Sequence, residues 1–159
     1  MIYTEEILSE LISCSKEIVE PPKPFRDDRG YKKTNFTLHS IDQQYNFYVF
    51  IRQNTQFVEN FSIGIDYNPK DEKGTLALLR CNGPHGENNM YPHHISSHIH
   101  KATSERINIG LKPEGNIIIT DEYSTLYEAI QFFINEININ ISDRNKYFPI
   151  KEKKLFNDE

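Results

Sequence analysis

The stretch Thr34 to Gln53, TNFTLHSIDQQYNFYVFIRQ, decides the fold class. Thr34 to Ile41 alternates, with Phe36, Leu38 and Ser40 on one side. Tyr45 to Gln53 is dense in the aromatic and β-branched residues that fill buried strands. Between them Asp42-Gln43-Gln44 is long enough only for a hairpin. A parallel pair needs a crossover of a dozen or more residues, so the two strands run antiparallel.

The same pattern continues outward. Phe57 to Tyr67 alternates through Phe61, Ile63 and Ile65, and Asn68 to Gly74 is turn material containing Pro69. Thr75 to Cys81 is a strand centred on Leu76, Leu78 and Leu79, and Ile117 to Ile119 is a short one. Ile107 to Pro113 fits neither period. At the N-terminal end, residues 4 to 19 carry Ile7, Leu8, Leu11, Ile12, Ile18 and Val19 at helical spacing, with Thr4 as a cap and Pro21, Pro22 and Pro24 as the stop. Residues 20 to 33 form a polar connector in which Arg26, Arg29, Lys32 and Lys33 make a dense basic group, suited to a solvated or phosphate-contacting loop. A last helix, capped by Asp121 or Ser124, bears the stripe Leu126, Ala129, Ile130, Phe133, Ile134 and Ile137. The expected fold is α+β: a mainly antiparallel sheet of about five strands, with an N-terminal and a C-terminal helix packed on it. Residues 1–142 make one domain, and 143–159 a charged tail.

Composition bounds the function. At 159 residues with 19 Phe and Tyr, the chain can build a core. The net charge of −5 opposes nonspecific nucleic-acid binding but leaves room for a local basic groove. Cys14 and Cys81 give no disulfide framework, and Met1 to Val19 lacks the features of a signal peptide. No apolar run is long enough for a membrane span. The expected setting is the cytoplasm.

Chemistry concentrates in Leu78 to Thr103, LLRCNGPHGENNMYPHHISSHIHKAT, which holds five of the six histidines. Read as a strand, Ile95 to Thr103 puts His94, His98 and His100 on one face and Lys101 on the other. As a helix it would keep His94 with His98 but move His100 away. Cys81-Asn82-Gly83-Pro84-His85-Gly86 leaves a strand, with glycines that permit close backbone approach. If the two strands are neighbours, His85, His98 and His100 meet at the sheet rim.

Three chemistries fit. One is a zinc site drawn from Cys81, His85, His98 and His100, although no CxxC or HExxH is present. Another is RNA cleavage without a metal, with His85, His98 and His100 as acid and base, Arg80 or Arg106 as phosphate partner, and Thr103, Ser104 or Tyr91 as hydrogen-bond donors. The third leaves the histidines as locally bonded residues of a protein-binding face. His39 reads as structural and Cys14 as a core residue.

The blocks Leu78 to Gly86 and His98 to Thr103 resemble those of an uncharacterised family of small bacterial proteins, with an LLRCNGPHG…HIHKAT signature. Phe61 to Tyr67, Leu111-Lys112-Pro113-Glu114-Gly115 and Asp121 to Ser124 fit the same pattern, so the resemblance spans roughly residues 60 to 135. It implies no assigned activity. In layout the chain is also similar to small ribonuclease toxins, which set His, Arg, Lys and Tyr on the concave face of an antiparallel sheet. The negative charge departs from their basic character. The expectation is a histidine-centred, metal-independent ribonuclease of bacterial toxin or defence type, acting on RNA and needing no cofactor. The alternative is a non-enzymatic acidic inhibitor, antitoxin-like or immunity protein that binds a protein partner such as an antitoxin or a phage or host factor.

Overall fold

Alternating apolar residues assemble into a larger sheet than the sequence suggests. The computed structural model describes residues 2–71, 74–85 and 95–151. In chain order the elements are α1 (Glu5–Ser13), β1 (Lys16–Glu20), β2 (Arg26–Asp28), β3 (Tyr31–Ser40), β4 (Asn46–Asn54), β5 (Phe61–Asn68), β6 (Leu76–Asn82), β7 (His98–Lys101), α2 (Ser104–Asn108), β8 (Asn116–Ile119), α3 (Leu126–Glu136) and α4 (Ile141–Tyr147). The strands form one antiparallel sheet in the order β1-β3-β4-β5-β6-β7-β8, with β2 also paired to β3. The α+β class and antiparallel pairing hold, but the sheet has eight strands rather than about five.

The extra strands come from two segments read as something else. The helix expected over residues 4 to 19 stops at Ser13, and Lys16–Glu20 is β1, paired with β3. Ile18 and Val19 suit both periods, and a β-branched pair favours the extended chain. Lys16 fixes the break: its buried ammonium donates to the carbonyls of Ile12, Cys14 and Ile137, at 2.7, 3.0 and 2.8 Å. It thereby serves the C-terminal ends of both α1 and α3. The polar connector also contains a hairpin. Arg29 and Gly30 both take positive φ, at 52° and 86°, the left-handed pair that joins β2 to β3 in a two-residue turn.

Alternation sorts the sheet into two faces. Phe36, Leu38, Val49, Ile51, Ile63, Ile65 and Cys81 are buried on one face, under Leu8 and Leu11 of α1 and Ala129, Phe133 and Ile134 of α3. Thr125 and Glu128 form a capping box at the start of α3. The expected tail from Asp143 begins as part of α4: Asp143 accepts from the Ile18 backbone N–H at 2.8 Å, and Phe148 packs on Phe36. Among the described residues no helix is long and apolar enough to cross a membrane.

Candidate functional site

Residues opposite one another across a ladder share a face. One cross-strand row on the face turned from α1 and α3 runs Lys33, Arg52, Ser62, Asn82, His98. The next runs Asn35, Phe50, Gly64, Arg80, His100. Polar and charged side chains thus replace the apolar stripe of the other face. Where the two rows meet the β6 end, Arg52, Arg80, Asn82, His85 and His100 line a cavity of about 350 Å³, with Tyr31 at its margin.

The histidines of the two blocks converge, because β6 and β7 are neighbours. The His98 ring centre lies 5.2 Å from that of His85 and 5.0 Å from that of His100, both edge-on. Their surroundings differ. His98 is fully buried; its Nδ1 donates to the Ser96 carbonyl at 2.9 Å, and its Nε2 faces Asn82 Nδ2 at 3.4 Å. Asn82 is in turn held by Ser62, whose hydroxyl donates to Oδ1 at 2.6 Å. Both ring nitrogens of His98 are thus engaged, and its ring lies between those of His85 and His100.

His100 is buried at 8% exposure and donates from Nδ1 to the Glu114 carbonyl at 3.2 Å, which leaves Nε2 as its acceptor nitrogen. Burial, with Arg80 and His98 beside it, pulls this imidazole down to about 3. His85 is half-buried on the loop after β6 and, with His100, lines the cavity. Arg80 stands opposite His100 and pairs with the buried Glu114 carboxylate at 3.3 Å. Burial and the nearby Arg52 both disfavour the Arg80 charge, while Glu114 supports it, and the buried Arg80 Nε has no hydrogen-bond partner among the described residues.

Other expected site residues lie elsewhere. The Thr103 hydroxyl caps α2, accepting from the Arg106 backbone N–H. The Arg106 Nε donates to the Lys112 carbonyl at 2.8 Å, and its guanidinium lies against Gly115, where a Cβ would come within 2.3 Å. Both line a separate cavity, together with Ile109 and Gly115. Ser104 is tied to Glu5 through its backbone N–H and hydroxyl, at 2.6 and 2.8 Å. His39 pairs with Glu17 at 3.0 Å. Tyr91, His93 and His94 lie outside the described residues.

Cys81 sits opposite Ile99, on the helix-covered face, so alternation turns it away from His98 and His100. Burial pushes its thiol up to about 12. The alternative zinc set of Cys81, His85, His98 and His100 is therefore not brought together. Among the described residues no group of three or more His, Cys, Asp or Glu is placed to hold a metal ion. Beside Cys81 the buried Tyr123 hydroxyl shares its proton between the Asn82 and His98 carbonyls, 2.9 Å from each, and pins the ends of β6 and β7 together. Gly83 follows at once. A Cβ there would lie 2.1 Å from the Glu59 carbonyl oxygen and 2.6 Å from the Phe61 ring, so its close approach is to the protein itself.

Arg52 and Tyr31, which line the cavity, and Glu114, which pairs with Arg80, are the residues of this candidate site that sequence reasoning missed. Glu114 lay in the quoted LKPEG segment, but only its fold-back onto Arg80 and His100 gives it a role. No family model, curated protein or solved structure matches this chain.

Proposed function

We propose that this chain is a histidine-centred, metal-independent endoribonuclease of bacterial toxin or defence type, working on RNA in the cytoplasm. The observation that carries the reading is the convergence of His85, His100, Arg52 and Arg80 on one polar cavity of an otherwise acidic protein. The blocks that carry the family resemblance, Leu78 to Gly86 and His98 to Thr103, supply three of the four.

The chemistry follows from the environments. His100 is held neutral with its Nδ1–H committed to Glu114, so its Nε2 is the acceptor for a 2′-OH proton. Burial is the larger cause of the low His100 value and Arg80 the next; a phosphate drawn in beside Arg80 offsets that second part and makes His100 a stronger base. The 2′-oxygen attacks phosphorus, the P–O5′ bond breaks, and protonated His85 gives its proton to the leaving 5′-oxygen. The products are a 2′,3′-cyclic phosphate and a 5′-hydroxyl, with no net proton consumed. Arg52 and Arg80 stabilise the charge that builds on the phosphate, the part a metal ion would otherwise play. His98 acts through its neighbours as a positioning residue. The test is RNA cleavage in excess chelator: His85→Ala should lower the rate by on the order of 10²- to 10⁴-fold while the fold survives. An unchanged rate in His85→Ala removes His85 from this role.

A second reading, non-enzymatic partner binding, draws on β8. Ile117, Ile118 and Ile119 are exposed, and among the described residues this strand pairs only with β7. An edge of that kind is a template for strand addition by a partner. Capture of a stable protein partner, indifferent to His98→Ala and His100→Ala, favours this reading over catalysis.

A further inference from the structure

A second cavity, of about 330 Å³, opens on the same sheet face, and its walls include Arg26, Lys33, Tyr48 and Phe50. It shares Arg52 and Arg80 with the histidine cavity. The two arginines therefore stand on the boundary between two pockets of nearly equal size. They lie close enough for Arg52 to disfavour the Arg80 charge, and Glu114 is the carboxylate paired with Arg80. Two guanidiniums placed together between pockets favour a bound anion.

The floor of the second cavity is aromatic. Phe50 and Tyr48 are half-buried on β4 and share the face of the arginines. The Phe50 ring lies over Gly64, where a Cβ would come within 2.6 Å of it, so the absent side chain lets the ring lie against the sheet. Lys33 and Arg26 face each other across β2 and β3 at the far wall, with Lys33 held by Asp28 at 2.9 Å. Asp66, opposite Tyr48 on the same face, is a carboxylate within this pattern, and burial pushes its acid above the usual carboxylate value. Around it the pattern is a mainly basic track with aromatic platforms, the arrangement that takes a phosphate backbone with its bases stacked.

We infer that this second cavity is a nucleobase subsite, and that the substrate is single-stranded RNA laid across β3 to β6 with one phosphate between Arg52 and Arg80. The inference rests on the nuclease reading above for the choice of RNA. It adds that the base on one side of the central phosphate stacks on Tyr48 and Phe50, while the histidine cavity takes the nucleoside on the other. Stacking on half-buried rings requires bases splayed from their partners, which a duplex does not offer.

The test uses the full chain and a labelled 2′-O-methyl RNA octamer of mixed sequence, which lacks the 2′-OH and so separates binding from cleavage. The octamer should bind more tightly than the same strand in a duplex. Tyr48→Ala should weaken binding by on the order of 10- to 100-fold, and Tyr48→Phe, which keeps the ring, should recover most of it. Lys33→Ala should make the salt dependence shallower by about 0.7 in log–log slope. Equal affinity for the duplex, or wild-type binding by Tyr48→Ala, overturns the inference. If binding follows the pattern but no RNA is cut, the subsite stands and the nuclease reading falls. If RNA is cut while Tyr48→Ala binds as wild type, the reverse holds.

Discussion

Arg80 and His100 face each other across β6 and β7, and one residue, Glu114, holds both. Its carboxylate takes the guanidinium and its backbone carbonyl takes the imidazole Nδ1–H. Glu114 thereby holds a guanidinium and an imidazole side by side; burial, then Arg80, keeps the imidazole neutral, while the bond to the Glu114 carbonyl works against this. The neutral imidazole is the state on which the proposed chemistry depends.

The first prediction concerns acid stability. The folded value for His100, about 3, lies below the ordinary imidazole value of 6.5. Between these limits the unfolded chain binds a proton that the native protein does not. Stability from this group is therefore full above pH 6.5 and is lost as pH falls toward 3, with a slope of at most about 1.4 kcal/mol per pH unit. Urea midpoints from pH 6.5 to 4 should fall more steeply for the wild type than for His100→Gln. Parallel curves would mean that His100 is protonated as readily in the folded chain.

Arg52 separates binding from folding. Its side chain is exposed, so Arg52→Ala should change stability by no more than about 0.5 kcal/mol. It should nevertheless weaken RNA binding by on the order of tenfold and reduce its salt dependence. A loss of melting temperature that matches the loss of affinity would show that Arg52 serves the fold instead.

Lys16 carries a prediction on the fold. Its ammonium is fully buried, donates to three carbonyls and lies 4.8 Å from the centre of the Phe47 ring. Burial pulls it down to about 8. Lys16→Met keeps the length but leaves carbonyls at two helix ends without a donor, at a cost of about 3 kcal/mol. Chemical denaturation reads this directly, and a variant as stable as the wild type would show that water replaces the ammonium without loss.

The hairpin of Thr34 to Gln53 was legible because one face of it is buried, and burial on one face writes alternation into the sequence. β1 was not legible: Ile18 and Val19 satisfy both periods, and only pairing with β3 decides between them. The Arg29-Gly30 turn was hidden by the charge around it. In the site, His98 and His100 could be placed together once their segment was read as a strand. His85 needed the adjacency of β6 and β7. Arg52 needed two registers, β4 on β5 and β5 on β6, which no local pattern reveals. Thr103 and Arg106 were drawn in by closeness in sequence to His100, but the chain turns into α2 there and carries them away.

The central claim is that imidazoles and guanidiniums on the open sheet face cut RNA by its own 2′-OH. The most direct measurement is mass spectrometry of the ends produced from a defined single-stranded RNA in excess chelator, for the wild type and for His85→Ala. The account predicts a 2′,3′-cyclic phosphate on one fragment and a 5′-hydroxyl on the other, formed by the wild type and lost in the variant. Intact RNA of every class tested, or fragments bearing a 5′-phosphate, would contradict it.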